Sequence, residues 1–206
     1  MIGSYTFSRL YGNYSGLASS DEDGRTSPNV NRFFDAIENS FDRNGNLVYG
    51  RLGTDRPHVF KGQGMYQFGW NMTVALNQYI GSGIPISEEG YVGATVPFFV
   101  YGRGNLGRTP VLSRTDLSLF QDVRLDKFKL TLGMTVLNLF DQDAVTRRYN
   151  ERMVSALPLD TAEFFAGGWS YESLLAADPT LLDVKFNQPN QWQDPREIRF
   201  TVKFTF

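Results

Sequence analysis

Apolar and polar side chains alternate along the C-terminal segment from Arg196 to Phe206, and the alternation is strict from Glu197 onward. Every second residue from Ile198 onward is Ile, Val or Phe, and the residues between them are Arg, Thr or Lys. Because successive side chains of a β-strand point to opposite faces, this segment predicts a strand with one apolar and one polar face. Its length matches the roughly 9–11 residues with which a β-strand crosses a membrane.

Two earlier pairs of segments alternate in a similar way. In the first pair, residues 58–68 and 72–80 flank a short turn at Gly69-Trp70-Asn71. In the second, residues 112–125 and 128–136 flank the two-residue turn Asp126-Lys127, with Phe120 as an apolar exception on the polar side. Short turns of this kind join antiparallel neighbours, so each pair predicts a β-hairpin.

The opening segment from Tyr5 to Gly16 predicts a further strand, whose alternation is disturbed near Leu10. Long polar connections follow the first, third and fifth strands, and helical periodicity predicts short helices in them over residues 31–41, 161–165 and 171–177. The connections therefore alternate between long and short. Outer-membrane barrels show the same alternation, because their extracellular loops are long and their periplasmic turns are short.

Together these patterns predict an all-β fold, namely an antiparallel transmembrane β-barrel segment of about six strands with long extracellular loops that carry short helices. Six strands are too few for a closed outer-membrane barrel, which needs about eight or more. Unpaired strand edges are not tolerated in lipid. We therefore expect these strands to belong to a larger barrel that contacts the lipid of the outer membrane of a Gram-negative bacterium.

The polar faces of the predicted strands carry charged side chains that would be costly in lipid. We expect them to face the water-filled interior, where contact with a ligand is a further possibility for each. The predicted wall residues are Arg114, Asp116, Asp122, Arg124, Lys129, Arg199 and Lys203. Aromatic side chains of the long loops are candidates for ligand capture, and packing within the loops is the alternative role for each. These aromatic residues are Phe33, Phe34, Trp169 and Tyr171.

Charge and composition exclude several other functions. The net charge is −2 and charges of both signs are mixed, so no basic surface is offered to nucleic acid. The chain has no cysteine, which excludes disulfides and thiolate metal sites. His58 is the only histidine, and the carboxylate clusters Asp21-Glu22-Asp23 and Glu88-Glu89 are expected in solvated loops. The sequence therefore predicts no enzyme, no metal site and no cofactor.

Aromatic residues make up 15% of the chain, which fits the aromatic girdles of an outer-membrane barrel. The same composition would suit a soluble aromatic-rich β-module that binds carbohydrate, and this is the alternative function. It predicts a chain that folds in buffer without detergent. The sequence contains no run of about 18 apolar residues, so it predicts no transmembrane helix.

Three segments resemble the C-terminal end of TonB-dependent outer-membrane receptors. They are Gly107-Arg-Thr-Pro-Val-Leu-Ser-Arg-Thr-Asp-Leu-Ser-Leu119, the strand end Val136-Leu-Asn-Leu-Phe-Asp141, and Asp194-Pro-Arg-Glu-Ile-Arg-Phe-Thr-Val-Lys-Phe-Thr-Phe206. The opening segment from Ser4 to Gly16 is similar to the Oar-like branch of that family.

The resemblance implies energised uptake of a scarce ligand through a 22-stranded barrel with an N-terminal plug, driven by the TonB complex of the inner membrane. Residues 1–206 would then be the C-terminal portion of the barrel, and the plug and remaining strands would belong to another part of a longer chain. The lack of an export signal before the first strand predicts the same. The wall residues would contact the plug. The resemblance also implies that Phe206 is a signal for the barrel-assembly machinery.

Overall fold

The computed structural model describes residues 1–13, 40–93 and 96–206. These residues form thirteen strands, two α-helices and one 3-10 helix. The strands are β1 (Ile2–Phe7), β2 (Tyr11–Gly12), β3 (Phe41–Asp42), β4 (Gly50–Arg51), β5 (His58–Gln67), β6 (Met72–Gly81), β7 (Glu89–Val92), β8 (Val96–Phe99), β9 (Leu112–Leu125), β10 (Phe128–Leu137), β11 (Val145–Arg148), β12 (Pro189–Trp192) and β13 (Glu197–Thr205). The helices are α1 (Thr161–Ala166), α2 (Tyr171–Ala177) and the 3-10 helix Pro179–Leu181.

Six of the strands form one antiparallel sheet in the order β1-β5-β6-β9-β10-β13, which we call the main sheet. Each strand pairs with the strand that next enters the sheet along the chain. The predicted all-β arrangement of six antiparallel strands is therefore confirmed. The main sheet is open, and β1 and β13 form its two edges.

Long and short connections alternate along the main sheet, as predicted. Residues 68–71 and 126–127 make the short turns, whereas residues 8–57, 82–111 and 138–196 make the long connections. Because successive strands run in opposite directions, all three long connections leave from one end of the sheet, the loop end. Both short turns lie at the opposite end, the turn end.

The two predicted tight turns are present and depend on residues that tolerate a left-handed backbone. Phe68 N donates to Met72 O at 2.7 Å across the first turn. Asn71 in this turn and Asp126 in the second have φ values of 63° and 53°. Asn and Asp enter this region more readily than other residues with a Cβ atom, because their short polar side chains bond locally.

The opening of the chain differs from the prediction. Instead of one strand from Tyr5 to Gly16, the structure has β1 and the separate strand β2, which pairs with β4 outside the main sheet. The break lies where the alternation is disturbed, and there Leu10 N donates to Asp55 Oδ1 at 2.8 Å. Residues 14–16 lie outside the described part of the chain.

The predicted helix over residues 31–41 lies largely outside the described residues. Its last two residues are described, and the prediction is wrong there: Ser40 has no regular structure, and Phe41 begins β3 and pairs in parallel with Phe98 of β8. A helix cannot form at Phe41 because the backbone bonds of this residue join a small sheet.

The two later helices are confirmed. Asp160 and Glu163 form a reciprocal capping box at the start of α1, and Ser170 caps α2. Gly167 and Gly168, with φ values of 76° and 81°, separate the two helices. In the described part of the chain, no helix is long and apolar enough to cross a membrane.

The long connections fold together at the loop end into a small structure that we call the loop cap, comprising residues 40–57, 82–93, 96–111 and 138–196. Its buried core combines side chains from the second and third connections, and Phe41 of the first packs against it. The core residues are Val92, Phe98, Val100, Met153, Leu157, Phe164 and Tyr171. Most buried apolar side chains therefore lie in the cap, whereas the main sheet leaves apolar side chains exposed.

Candidate functional site: the polar face of the main sheet

Strand pairing places all seven predicted wall residues on one face of the main sheet. Thr131 of β10 pairs with Asp122 of β9 on one side and with Lys203 of β13 on the other. Two residues before Thr131, Lys129 pairs with Arg124. Residues of alternate positions share this face, which we call the polar face. It carries Arg114, Asp116, Asp122, Arg124, Lys129, Arg199 and Lys203.

Ion pairs satisfy much of the charge on the polar face. The Arg114 guanidinium binds both carboxylate oxygens of Asp116, with Nε–Oδ1 at 2.9 Å and Nη2–Oδ2 at 3.0 Å. The Asp122 carboxylate accepts from Lys129 Nζ at 2.8 Å and from Thr131 Oγ1 at 2.6 Å. Such pairs contribute little stability where water reaches them, so they mainly fix the positions of the side chains.

A further ion pair on this face includes a residue that the sequence analysis did not single out. Arg199 Nε donates to Glu197 Oε1 at 2.6 Å, and Arg199 Nη2 donates to Glu197 Oε2 at 2.9 Å. The two-residue spacing was the signal that could have found Glu197, because it puts both side chains on the same side of β13.

The opposite face of the main sheet is apolar and exposed in this chain. Phe200 and Val202 of β13 are 78% and 72% exposed. Near the turn end, the rings of Phe68 and Trp70 stack with their centroids 4.6 Å apart, and Phe128 stacks on Phe204 at 5.2 Å. Within the described residues, this apolar face is not covered along β13.

A cavity of about 520 Å³ lies on the polar face toward the loop end. Its floor comes from three adjacent strands, in which Lys61 pairs with Tyr79 and Tyr79 pairs with Arg114. The other wall comes from the paired strands β11 and β12 and the residues after them, and includes Trp192 and Gln193. The sequence pattern identified Arg114 but not the rest of this cavity, because β11 and β12 show no alternation that would place them over the sheet.

The segments that carry the family resemblance meet where β10 ends and β13 begins. Asn138 is 1% exposed, and its Nδ2 donates to Gln142 O at 2.8 Å and to Asp194 O at 2.9 Å. Its Oδ1 accepts from Gln142 N at 3.0 Å, and its own backbone N donates to Asp116 Oδ1 at 3.0 Å. Through its backbone N and its side-chain amide, Asn138 therefore joins β9, the end of β10 and the approach to β13.

Asp141 and Arg196 complete this junction. Arg196 N donates to Asp141 Oδ1 at 2.8 Å, and the two side chains form an ion pair at 3.6 Å. These residues belong to the second and third resemblance segments, which are separated by more than fifty residues of chain. We call the contacts of Asn138, Asp141, Asp194 and Arg196 the strand junction.

The predicted ligand-loop aromatics do not form one exposed group. Phe33 and Phe34 lie outside the described residues. Tyr171 is buried in the core of the loop cap, and its hydroxyl donates to Glu88 Oε1 at 3.2 Å. Trp169 packs against the same core, and its Nε1 donates to Phe164 O at 3.1 Å. The geometry of Tyr171 and Trp169 is that of loop packing, and ligand contact by Trp169 stays a prediction.

The positions of Glu88 and Glu89 differ from the prediction. They were expected in a solvated loop, but Glu88 is 1% exposed and Glu89 is also buried. Arg152 Nε donates to Glu88 Oε1 at 2.7 Å, and the Arg152 guanidinium lies 4.6 Å from the centre of the Phe186 ring. The prediction was wrong because the long connections have a core of their own, which the charge of a loop segment does not reveal.

The surroundings of Glu88 shift two neighbouring groups. Burial raises the pKa of the Tyr171 phenol, and the nearby charge of Glu88 raises it further. Burial opposes the charge of Arg152, but its hydrogen bond with Glu88 and the attraction between them outweigh burial and raise the pKa of the guanidinium. Both pKa shifts therefore keep the Tyr171 hydroxyl and the Arg152 guanidinium protonated beside the Glu88 carboxylate.

Comparison with known proteins confirms the predicted resemblance. The chain is 32% identical over 223 aligned residues to the TonB-dependent transporter Oar of Myxococcus xanthus. The alignment covers 98% of this chain but only 20% of that transporter, so the chain spans about a fifth of the length of its relative. No family model matches the chain, and no solved structure matches it.

Proposed function

We propose, from the relationship of this chain to TonB-dependent transporters, that it forms six consecutive strands of the barrel wall of such a transporter in the outer membrane of a Gram-negative bacterium. The observation that carries this proposal is the two-faced main sheet. Its apolar face is exposed along β13, where Phe200 and Val202 stand free, and its opposite face carries paired charges. Lipid would cover the first face and water in the barrel would contact the second.

In this arrangement the chain supplies wall and not catalysis. The ion pairs Arg114–Asp116 and Asp122–Lys129 would face the lumen, where they contact water and the plug of the transporter. Lys203 forms no ion pair within the described residues and would offer a free charge to the same space. The role of the whole transporter is energised uptake of a scarce ligand, with the plug and the TonB complex as partners of other parts of the protein.

The alternation of connections sets the orientation. The loop cap would lie outside the cell and the turns at residues 68–71 and 126–127 in the periplasm. Residues 1–206 would be the C-terminal portion of the barrel, with β1 and β13 pairing to further strands because unpaired edges are not stable in lipid. Phe206 is 94% exposed, which leaves its ring accessible to the barrel-assembly machinery.

The alternative is a soluble β-module that binds carbohydrate. Such a module must cover its apolar face with a second layer, because large exposed apolar patches are rare on soluble monomers. No such layer covers β13 among the described residues. This geometry favours the membrane wall.

The two adjacent positions Val202 and Lys203 give a sharp test. A cysteine-free full-length receptor would carry a single spin label at Val202→Cys or Lys203→Cys and be reconstituted in lipid. Electron paramagnetic resonance would measure how often each label collides with two relaxing agents. The label at position 202 should collide mainly with oxygen dissolved in the lipid, and the label at position 203 mainly with a water-soluble nickel complex. Equal exposure of both labels to the nickel complex, in a protein that stays folded in buffer without detergent, would favour the soluble module.

A further inference from the structure

The cavity on the polar face contains polar groups that lack partners. Gln193 is 9% exposed, and its Nε2 donates to Ser113 O at 2.8 Å. A carbonyl can only accept, so this bond fixes which end of the amide faces Ser113. Gln193 Oε1 is then left buried without a hydrogen-bond partner. Buried polar atoms are nearly always paired, so this acceptor indicates a missing N–H or O–H donor. The oxygen itself is covered, so a donor in the cavity would reach it only after the Gln193 amide tilts toward that space.

The cavity wall also carries two charged side chains that form no ion pair among the described residues, besides the Arg114–Asp116 pair. The Arg114 and Asp116 side chains satisfy each other. Lys61 and Asp194 also line the cavity, and neither side chain takes part in an ion pair among the described residues. One ammonium and one carboxylate that form no ion pair in the described part of the chain therefore border a space of about 520 Å³, and the Asp194 carboxylate also lies within electrostatic reach of the Arg114 guanidinium. This combination is complementary to a ligand that carries both a negative and a positive group.

The remaining wall provides planar and amide surfaces. Trp192 lines the cavity with its indole ring exposed, while Asn77 and Tyr79 contribute from the floor. Asn77 pairs with Asp116 across the β6–β9 ladder, so its amide lies beside the Arg114–Asp116 pair. An aromatic ring with a few placed polar groups is typical of small-ligand sites.

We propose that this cavity binds a short peptide with free termini. The peptide carboxylate would bind Lys61, a backbone N–H would donate to Gln193 Oε1, and the terminal ammonium would lie near Asp194, with Trp192 against the peptide planes. A neutral sugar would leave both charges unpaired, and a polyphosphate would bring its charges beside Asp116 and Asp194. The volume lies within the range of roughly 300–1,000 Å³ that suits small ligands, which corresponds to a di- or tripeptide.

This inference rests on the proposed function, because it needs the polar face to be open to a lumen. The test uses the full-length receptor in detergent. It would be equilibrated with a pool of synthetic tripeptides with free termini, and separately with the same pool as C-terminal amides, and bound peptides would be quantified by mass spectrometry. The free-carboxylate pool should be retained about tenfold better, since a charge-assisted hydrogen bond is worth roughly this factor.

Variants assign the effect to the cavity. Lys61→Gln should remove the preference for the free carboxylate, and Gln193→Leu should lower retention of both pools. Lys127→Gln is the matched control, because Lys127 lies in the turn between β9 and β10 at the opposite end of the sheet, forms no ion pair within the described residues and does not line the cavity. It should retain peptides as the wild type does. If Gln193→Leu does not fold, Lys61→Gln decides alone.

Absence of retention by the wild type, or the same preference in Lys61→Gln as in the wild type, would overturn the peptide site. If another part of the receptor fills the cavity, the wild type would likewise retain no peptide. The spin-label pattern at positions 202 and 203, measured on the same preparation, separates the two proposals. If the spin-label pattern is intact and no peptide is retained, the proposal of a barrel wall holds and the proposal of a peptide site is wrong. If that pattern is absent, the wall proposal itself fails.

Discussion

The ring of Phe120 lies directly against the main chain of Gly133, its partner across the β9–β10 ladder. A Cβ atom added at Gly133 would come within 2.6 Å of Phe120 Cδ1 and 3.3 Å of Thr201 Cβ. The glycine therefore makes room for the aromatic ring that lies between the charged residues of β9 on the polar face. Phe120 in turn covers backbone that a strand glycine would leave bare.

Gly133→Ala should destabilise the main sheet by about 1–3 kcal/mol, because the added methyl group forces the Phe120 ring out of place. The free energy of unfolding in detergent and urea, followed by tryptophan fluorescence, would measure the loss. Gly3→Ala is the matched control, since a Cβ atom at this strand glycine meets nothing within 4 Å. An equal loss in both variants would show that general strand effects, and not the Phe120 contact, are responsible.

Asn138→Ala should cost about 2–4 kcal/mol, because it removes three hydrogen bonds that the buried Asn138 amide makes with Gln142 and Asp194. Part of any loss would come from the backbone, since Asn138 has a φ of 50°. Asn187→Ala controls for that part, because Asn187 has a φ of 59° and an exposed side chain. Denaturant unfolding of both variants gives the difference. If Asn187→Ala costs as much as Asn138→Ala, the side-chain bonds of the strand junction contribute nothing.

Glu88→Gln should loosen two distant segments of the loop cap together, residues 149–157 and 171–177. The amide keeps the shape of the carboxylate but loses the charge that holds Arg152, at a cost of about 1–3 kcal/mol. Hydrogen–deuterium exchange should rise in both segments while the main sheet keeps its protection. Glu197→Gln makes the same change in an exposed pair with Arg199 and should leave the cap unchanged. Faster exchange in only one segment would contradict a shared core.

The loop cap should lose stability as the pH rises above about 10, where an unburied tyrosine begins to ionise. The pKa of Tyr171 is raised in the folded protein, so the folded state holds this proton while the unfolded state releases it. Stability from Tyr171 is therefore complete below the unfolded pKa and falls as the pH rises toward the folded value.

Thermal melts of the cap between pH 8 and pH 11, followed by near-UV circular dichroism, would test this slope, and Tyr171→Phe should flatten it. Some slope should remain in that variant, because burial and the hydrogen bond to Glu172 also raise the pKa of Tyr101. Tyr49→Phe, at an exposed tyrosine, should behave as the wild type does. An unchanged slope in Tyr171→Phe would assign the alkaline loss to other groups.

Sequence alone predicted the main sheet well, for a physical reason. Alternation is a local property, so the residues of β13 and β10 reveal both faces, and Asp126-Lys127 reveals the turn between β9 and β10. The face shared by Asp122, Thr131 and Lys203 follows from these strands once each turn fixes the register.

The loop cap and the cavity could not be predicted in this way. Glu88 reads as a solvated loop residue, yet it is buried because Arg152 and Tyr171 arrive from more than sixty residues away. Gln193 is held over the sheet by its own bonds to Ala144 O and Ser113 O and by the strand junction at the next residue, Asp194. Such contacts join distant parts of the chain, and no periodic pattern reports them.

The shared core of the loop cap also limits how the three connections can be exchanged between related proteins. Glu88 belongs to the second connection and its partners Arg152 and Tyr171 belong to the third, while Phe41 of the first packs on the same core. A chimera that receives only the second or the third connection would bury Glu88 without its partners, or the partners without Glu88, in the recipient protein. Transplanting this surface would therefore require moving all three loops together.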